Sequence, residues 1–99
     1  NNGTITNLPE DSAVEVACYI TADGPKPIAT GELKPQINGT IQTIKTFERL
    51  VCEAAVTGNR DLAVTALNMN PLCPSDTLAN VVVDELLEAH KEYLPQFFK

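Results

Sequence analysis

The chain has 99 residues, of which 43% are hydrophobic and 20% charged, with a formal net charge of -6. That is enough for one small folded domain and too little for two, and it is too apolar for a disordered tail. The acidic balance argues against nucleic acid or an anionic membrane as partner, since both require a basic face. No apolar run approaches the roughly 20 residues of a membrane span, and the first residues lack the basic and apolar regions of a signal peptide. Three widely spaced cysteines, Cys18, Cys52 and Cys73, fit reduced thiols in a cytoplasm better than a disulfide framework. The sequons at Asn2 and Asn38 are then accidental.

Asn1-Asn2-Gly3 is a turn signal, and a domain that opens on a turn implies that the strand feeding it lies outside the chain. Leu8-Pro9-Glu10-Asp11 is a second turn. Residues 13–20 read as a strand. Val14, Val16, Cys18 and Ile20 share one face by the period of two, and Glu15, Ala17 and Tyr19 share the other. Asp23-Gly24-Pro25 turns the chain, and residues 26–33 return as a second strand centred on Ile28. Pro25 and Pro27 cannot donate to a ladder, so this strand is expected to begin late and lie at an edge. The pair reads as an antiparallel hairpin with a loop longer than two residues, needing helices or further strands against its apolar face.

After Lys34-Pro35 the period changes. Ile37, Ile41, Ile44, Phe47, Val51 and Ala54 recur every three or four residues along one helical face. Gly58 suits the left-handed position that ends such a helix. Asn59 can cap a short helix to about Asn68 that buries Leu62, Ala63, Ala66 and Leu67. The prolines of Asn70-Pro71-Leu72-Cys73-Pro74 forbid its continuation. Ser75 or Asp76 caps a final helix, with Leu78, Val82, Leu86, Ala89 and Tyr93 as its buried stripe, ended by Pro95. The expected class is therefore α+β, an antiparallel hairpin over residues 1–34 followed by three helices over residues 35–99.

Residues that carry chemistry are sparse. His90 is the only histidine; it reads as a helix residue near a C-terminus, and its neighbours at three and four residues offer no metal ligand beyond the weak phenol of Tyr93. Cys18 and Cys52 read as small buried hydrophobes. Cys73, in a loop without a basic neighbour, is the thiol expected to be exposed. Glu85, Glu88 and Glu92 are spaced as one solvated helical face rather than as paired acids, and Glu10 and Asp11 belong to a turn. No glycine lies in a strand–GxGxxG–helix setting.

The motifs nevertheless have a family likeness along the chain. Asn2-Gly3-Thr4-Ile5-Thr6-Asn7-Leu8-Pro9-Glu10-Asp11, Val14-Glu15-Val16, Asp23-Gly24-Pro25-Lys26-Pro27-Ile28 and Gly31-Glu32-Leu33 resemble the C-terminal part of the NAD- and metal-dependent glycoside hydrolases of family 4. Ile44-Lys45-Thr46-Phe47-Glu48-Arg49 and Asn70-Pro71-Leu72-Cys73-Pro74-Ser75-Asp76 point to their 6-phospho-β-glucosidase branch rather than to the α-galactosidases.

The resemblance implies a parent enzyme that binds NAD in a Rossmann-like domain and manganese between a cysteine and a histidine. It would cleave phosphorylated β-glucosides by oxidation, elimination, addition and reduction, an exception to hydrolysis by paired carboxylates. The metal cysteine of that branch lies in C-N-x-P, whereas the cysteines here precede Tyr19, Glu53 and Pro74. The metal histidine follows an L-N pair, and here Leu67-Asn68 precedes Met69. The family's catalytic, cofactor-binding and metal residues are therefore carried onto no position of this chain. The fold it implies resembles the C-terminal part of the substrate domain in lactate and malate dehydrogenases, and the implied role is that of a scaffold. The implied partners are the remainder of the parent and a neighbouring copy, met through strand edges or helix stripes. The alternative, motivated by the full set of helix caps, is a free-standing α+β interaction module without catalysis.

Overall fold

A computed structural model describes residues 1–99 and contains the hairpin and three helices in the expected order. β1 spans Cys18–Thr21, β2 Gly24–Pro27, α1 Pro35–Thr57, α2 Arg60–Met69 and α3 Asp76–Ala89, with short 3₁₀ turns at Lys91–Tyr93 and Pro95–Phe98. The chain divides into two compact units, residues 1–42 and 43–99.

The first unit is organised by one side chain. Asn2 and Gly3 both take positive φ, 46° and 78°, as an Asn-Gly turn favours. The turn leaves the Asn1 carboxamide facing the loop that follows. Its Nδ2 donates to the Ile5 and Leu8 carbonyls at 2.9 and 3.0 Å, and its Oδ1 accepts the Ile5 N–H at 2.8 Å. The Asn1 backbone nitrogen donates to the Ser12 carbonyl at 2.6 Å, closing residues 1–12 into a loop over buried Ile5 and Leu8. Asn7 then ties that loop to the start of α1. Its Oδ1 accepts the Leu33 N–H at 3.0 Å, and its carbonyl accepts Gln42 Nε2 at 2.6 Å.

The hairpin is shorter and tighter than the sequence suggests. Residues 13–20 and 26–33 contract to β1 and β2, and the loop is only Ala22-Asp23, because Thr21 pairs directly with Gly24. The Thr21 hydroxyl holds this turn, accepting the Asp23 N–H at 3.3 Å and donating to the Gly24 carbonyl at 2.9 Å. Pro25 and Pro27 do not delay the second strand. They face Ile20 and Cys18, while the Ile28 N–H donates to the Ala17 carbonyl at 2.9 Å. Hydrogen-bonded pairs alternate along an antiparallel ladder, so the prolines occupy positions whose N–H would point away from β1. All four residues of β1 are exposed, Ile20 to 82%. The apolar face for which helical cover was expected therefore meets solvent.

In the second unit the caps fall where expected. Asn59 Oδ1 accepts the Leu62 N–H at 3.0 Å, and Ser75 Oγ accepts that of Leu78 at 3.2 Å. The buried residues differ. The core is Val64, Ala79 and Val83, flanked by Ala63, Leu67, Cys73 and Leu87. Along α3 the buried stripe is thus rotated by one residue from the predicted one: Leu78, Leu86, Ala89 and Tyr93 are exposed and Val82 is half-buried. Ala79, with no exposed surface, brings α3 close to its neighbours, and a small contact residue decides helix approach more than hydrophobicity does. On α2, Val64 joins Ala66 as a buried residue, while Leu62, Ala63 and Leu67 are half-buried. α3 also stops at Ala89, before Pro95; two 3₁₀ turns occupy the interval.

These turns carry the chain back to the end of α1. Gln96 Nε2 donates to the Ala55 carbonyl at 2.8 Å, and the Gln96 backbone lies against Gly58, whose φ is 72°. A Cβ at Gly58 would overlap the Gln96 carbonyl and come within 3.1 Å of the Phe97 nitrogen. One ion pair braces α2 against α3. Arg60 Nε and Nη2 donate to the two oxygens of Asp84 at 2.6 and 2.9 Å, and Nη2 reaches Asn80 Oδ1 at 3.2 Å. These hydrogen bonds, donated by Arg60 and accepted by Asp84, hold the Asp84 carboxyl below its ordinary range and raise Arg60.

Two predictions follow from this packing. Gly58→Ala combines left-handed strain with a backbone collision and should destabilise the chain by more than about 2 kcal/mol. Gly39→Ala, in the open interior of α1 with nothing within 4 Å of the added Cβ, should instead stabilise it by about 0.5–1 kcal/mol. Urea denaturation of both variants checks the opposite signs. Asp84 has its pKa lowered by folding. Its contribution is therefore present above the unfolded pKa, near 4, and lost as the pH falls through the lower folded value. The Tm of Asp84→Asn should lie below that of the parent chain at neutral pH and converge with it in acid.

Candidate functional site

The groups that could carry chemistry are scattered over the two units. His90 caps the C-terminus of α3, exposed. Glu85, Glu88 and Glu92 are exposed as expected, and Glu88 pairs only with Lys91, at 3.5 Å. The cysteines reverse their expected exposure. Cys18 and Cys52 are exposed, while Cys73 is half-buried against the α2–α3 core. Cys18 follows from the uncovered hairpin. Cys52 lies one residue off the apolar stripe of α1, and Cys73 is drawn inward by the turn in which its N–H donates to the Asn70 carbonyl at 2.9 Å.

Nothing here assembles into a reaction centre. No three His, Cys, Asp or Glu side chains lie close enough together to share a metal ion. No strand runs through a glycine-rich turn into a helix, the cradle a dinucleotide pyrophosphate needs. The residues present therefore do not fit manganese or NAD. Arg60 and Asp84, the two groups whose acidity shifts, satisfy each other and face solvent as a brace between helices.

What the second unit does form is an apolar cleft of about 320 Å³, lined by residues including Phe47, Val51, Leu67, Val83, Leu94 and Phe97. Small-molecule sites need a few convergent polar groups to fix orientation, and the lining side chains of this cleft supply none. It is suited to receive apolar side chains rather than a phosphorylated sugar. The polar hubs that the sequence reading missed, Asn1 and Asn7, are structural too. Their signal was present in Asn-Gly and Asn-Leu-Pro, as carboxamides next to turns.

Comparison with known proteins places the chain in a family. Residues 1–73 match the family 4 glycosyl hydrolase C-terminal domain. A probable 6-phospho-beta-glucosidase of Bacillus subtilis (strain 168) is 58% identical over 98 residues, covering 99% of this chain and 22% of that protein. The crystal structure of a 6-phospho-alpha-glucosidase from gut microorganisms, in complex with NAD and glucose-6-phosphate, superposes with a TM-score of 0.89 at 35% identity, over 97% of this chain and 22% of its own. The 6-phospho-beta glucosidase of Thermotoga maritima, with manganese, NAD+ and glucose-6-phosphate, gives 0.81 at 35% identity, over 95% and 23%. This chain thus spans about a fifth of the length of the relatives it matches. It belongs to glycosyl hydrolase family 4, as that family's C-terminal domain.

Proposed function

We propose that this chain is the C-terminal structural part of an NAD- and manganese-dependent 6-phospho-β-glucosidase, and that it is inactive alone. The observation that carries the reading is the 58% identity to the Bacillus subtilis protein along nearly the whole chain. Within that enzyme the hairpin and helices wall the substrate domain, and their apolar cleft receives side chains from the remainder of the polypeptide. That remainder would supply the dinucleotide-binding domain, the metal ligands and the catalytic groups, since no position here carries them. The parent's substrate would be a phosphorylated β-linked disaccharide, cleaved by oxidation, elimination, addition and reduction as part of carbohydrate metabolism. Three free thiols without a disulfide favour the cytoplasm. The uncovered apolar strand and the acidic surface favour a dimer or larger homo-oligomer that stays in solution. The free-standing module has less support, because the likeness runs motif by motif through the whole chain rather than through its core alone.

The isolated chain, given a chromogenic 6-phospho-β-glucoside, NAD and manganese, should show no turnover; steady hydrolysis would refute the reading. A chimera with these 99 residues in place of the matching fifth of the Bacillus subtilis relative should hydrolyse the same substrate. A folded but inactive chimera would count against the scaffold role.

A further inference from the structure

One backbone hydrogen bond closes the loop of residues 1–12, and it has the form of a ladder rung. The Asn1 N–H donates to the Ser12 carbonyl at 2.6 Å, so the loop leaves and returns side by side with its ends running in opposite directions. From Ser12 the chain continues through residues 13–17 into β1. Whatever precedes Asn1 in a longer polypeptide therefore sets out antiparallel to residues 13–20. The chain matches a C-terminal domain and covers 22% of its Bacillus subtilis relative, so most of the remainder lies on that upstream side.

The parity of the rung decides which backbone groups an upstream segment meets. The Ser12 N–H donates to the Pro9 carbonyl at 3.1 Å, not back to Asn1, so Asn1 and Ser12 are not a mutually bonded pair. In an antiparallel ladder such a bond flanks a non-bonded pair, here the residue before Asn1 with Ala13. The mutually bonded pairs beyond it then fall on Val14, Val16, Cys18 and Ile20. The other side of β1 gives the same parity. The Ile28 N–H donates to the Ala17 carbonyl at 2.9 Å, and alternation continues the bonds to β2 at Tyr19–Lys26 and Thr21–Gly24. Cys18 and Ile20 therefore direct their N–H and carbonyl groups away from β2. The Val14 and Val16 N–H groups find no acceptor within the chain, and the Val16 carbonyl meets only the Cys18 thiol, at 3.5 Å.

We infer that the segment directly upstream of Asn1 in the parent enzyme is a strand lying antiparallel against β1, giving a three-stranded sheet in the order upstream strand, β1, β2. This rests on the reading of the chain as the C-terminal part of a longer polypeptide. The second, fourth, sixth and eighth residues before Asn1 pair with Val14, Val16, Cys18 and Ile20 in turn. They share the apolar face of Cys18, Ile20, Pro25 and Pro27 and are expected to be apolar themselves. Residues 1–12 become the connection between two paired strands. The Asn1 carboxamide, which fixes that loop through Ile5 and Leu8, sets the register of the sheet. Tethering at Asn1 presents the upstream segment at an effective concentration on the order of millimolar, which a second copy in dilute solution does not match.

Amide hydrogen exchange, read residue by residue in the 99-residue chain and in the full-length protein, tests the pairing. Val14, Val16, Cys18 and Ile20 should exchange freely in the chain and at least about tenfold more slowly in the full-length protein. Tyr19, bonded to β2, should be protected in both. Register is read by diamide, which takes two electrons and two protons from a pair of thiols. A cysteine placed at the sixth residue before Asn1 should join Cys18, and one at the fifth or seventh should not. Unprotected β1 amides in an active full-length enzyme would overturn the pairing and leave the enzyme reading standing. Protected amides in a full-length protein without glucosidase activity would support the pairing and sink the enzyme reading. Protection that rises with the concentration of the isolated chain would give the edge to a second copy and overturn the inference.

Discussion

The second unit closes because α1 ends on a residue with no side chain. Gly58 turns the helix through positive φ and lets the backbone of Gln96 rest where a Cβ would stand. That contact, with the Gln96 amide on the Ala55 carbonyl, holds Leu94 and Phe97 on the wall of the apolar cleft. Without it the final ten residues would have little reason to return, since they bury no residue fully and form only 3₁₀ turns. The rest of the unit packs thinly. Its fully covered residues are alanines and valines, and no large side chain is completely buried. Burying a large apolar side chain contributes roughly 1.5–3 kcal/mol, so a core without one leans on caps, the Arg60–Asp84 brace and the Gly58 contact.

Local chemistry was legible in the sequence and tertiary choice was not. Asn59, Ser75 and Gly58 mark helix ends through their own backbones and side chains, and all three act as read. Which stripe of α3 turns inward is decided by its neighbours. Leu78 and Leu86 have the greater hydrophobicity, yet Ala79 and Val83 are buried, because close approach of helices favours small residues at the contact. The same limit explains the cysteines. A period of two put Cys18 on an apolar face, but only the surroundings decide whether such a face is covered. The hairpin boundaries failed for a narrower reason. Proline was read as delaying the second strand, when in alternate ladder positions it costs no hydrogen bond and β2 begins at Gly24.

Metal ligation and dinucleotide binding each need particular neighbours at particular spacings, so the sequence can be searched for their motifs residue by residue. C-N-x-P, a histidine after L-N and a glycine-rich turn after a strand are local patterns, and the chain carries none of them. The hubs at Asn1 and Asn7 were harder to see. Their hydrogen bonds reach as far as 35 residues along the chain, and only the folded loop reveals which carbonyls a carboxamide will meet.

The prolines of β2 have one more consequence. A strand with two competent edges has a valence of two, and repeated edge pairing then builds an open-ended fibre. Pro25 and Pro27 reduce the valence of this hairpin to one. A further strand could then extend this hairpin only beside β1, so the direction in which the sheet can grow is already written into the sequence of β2.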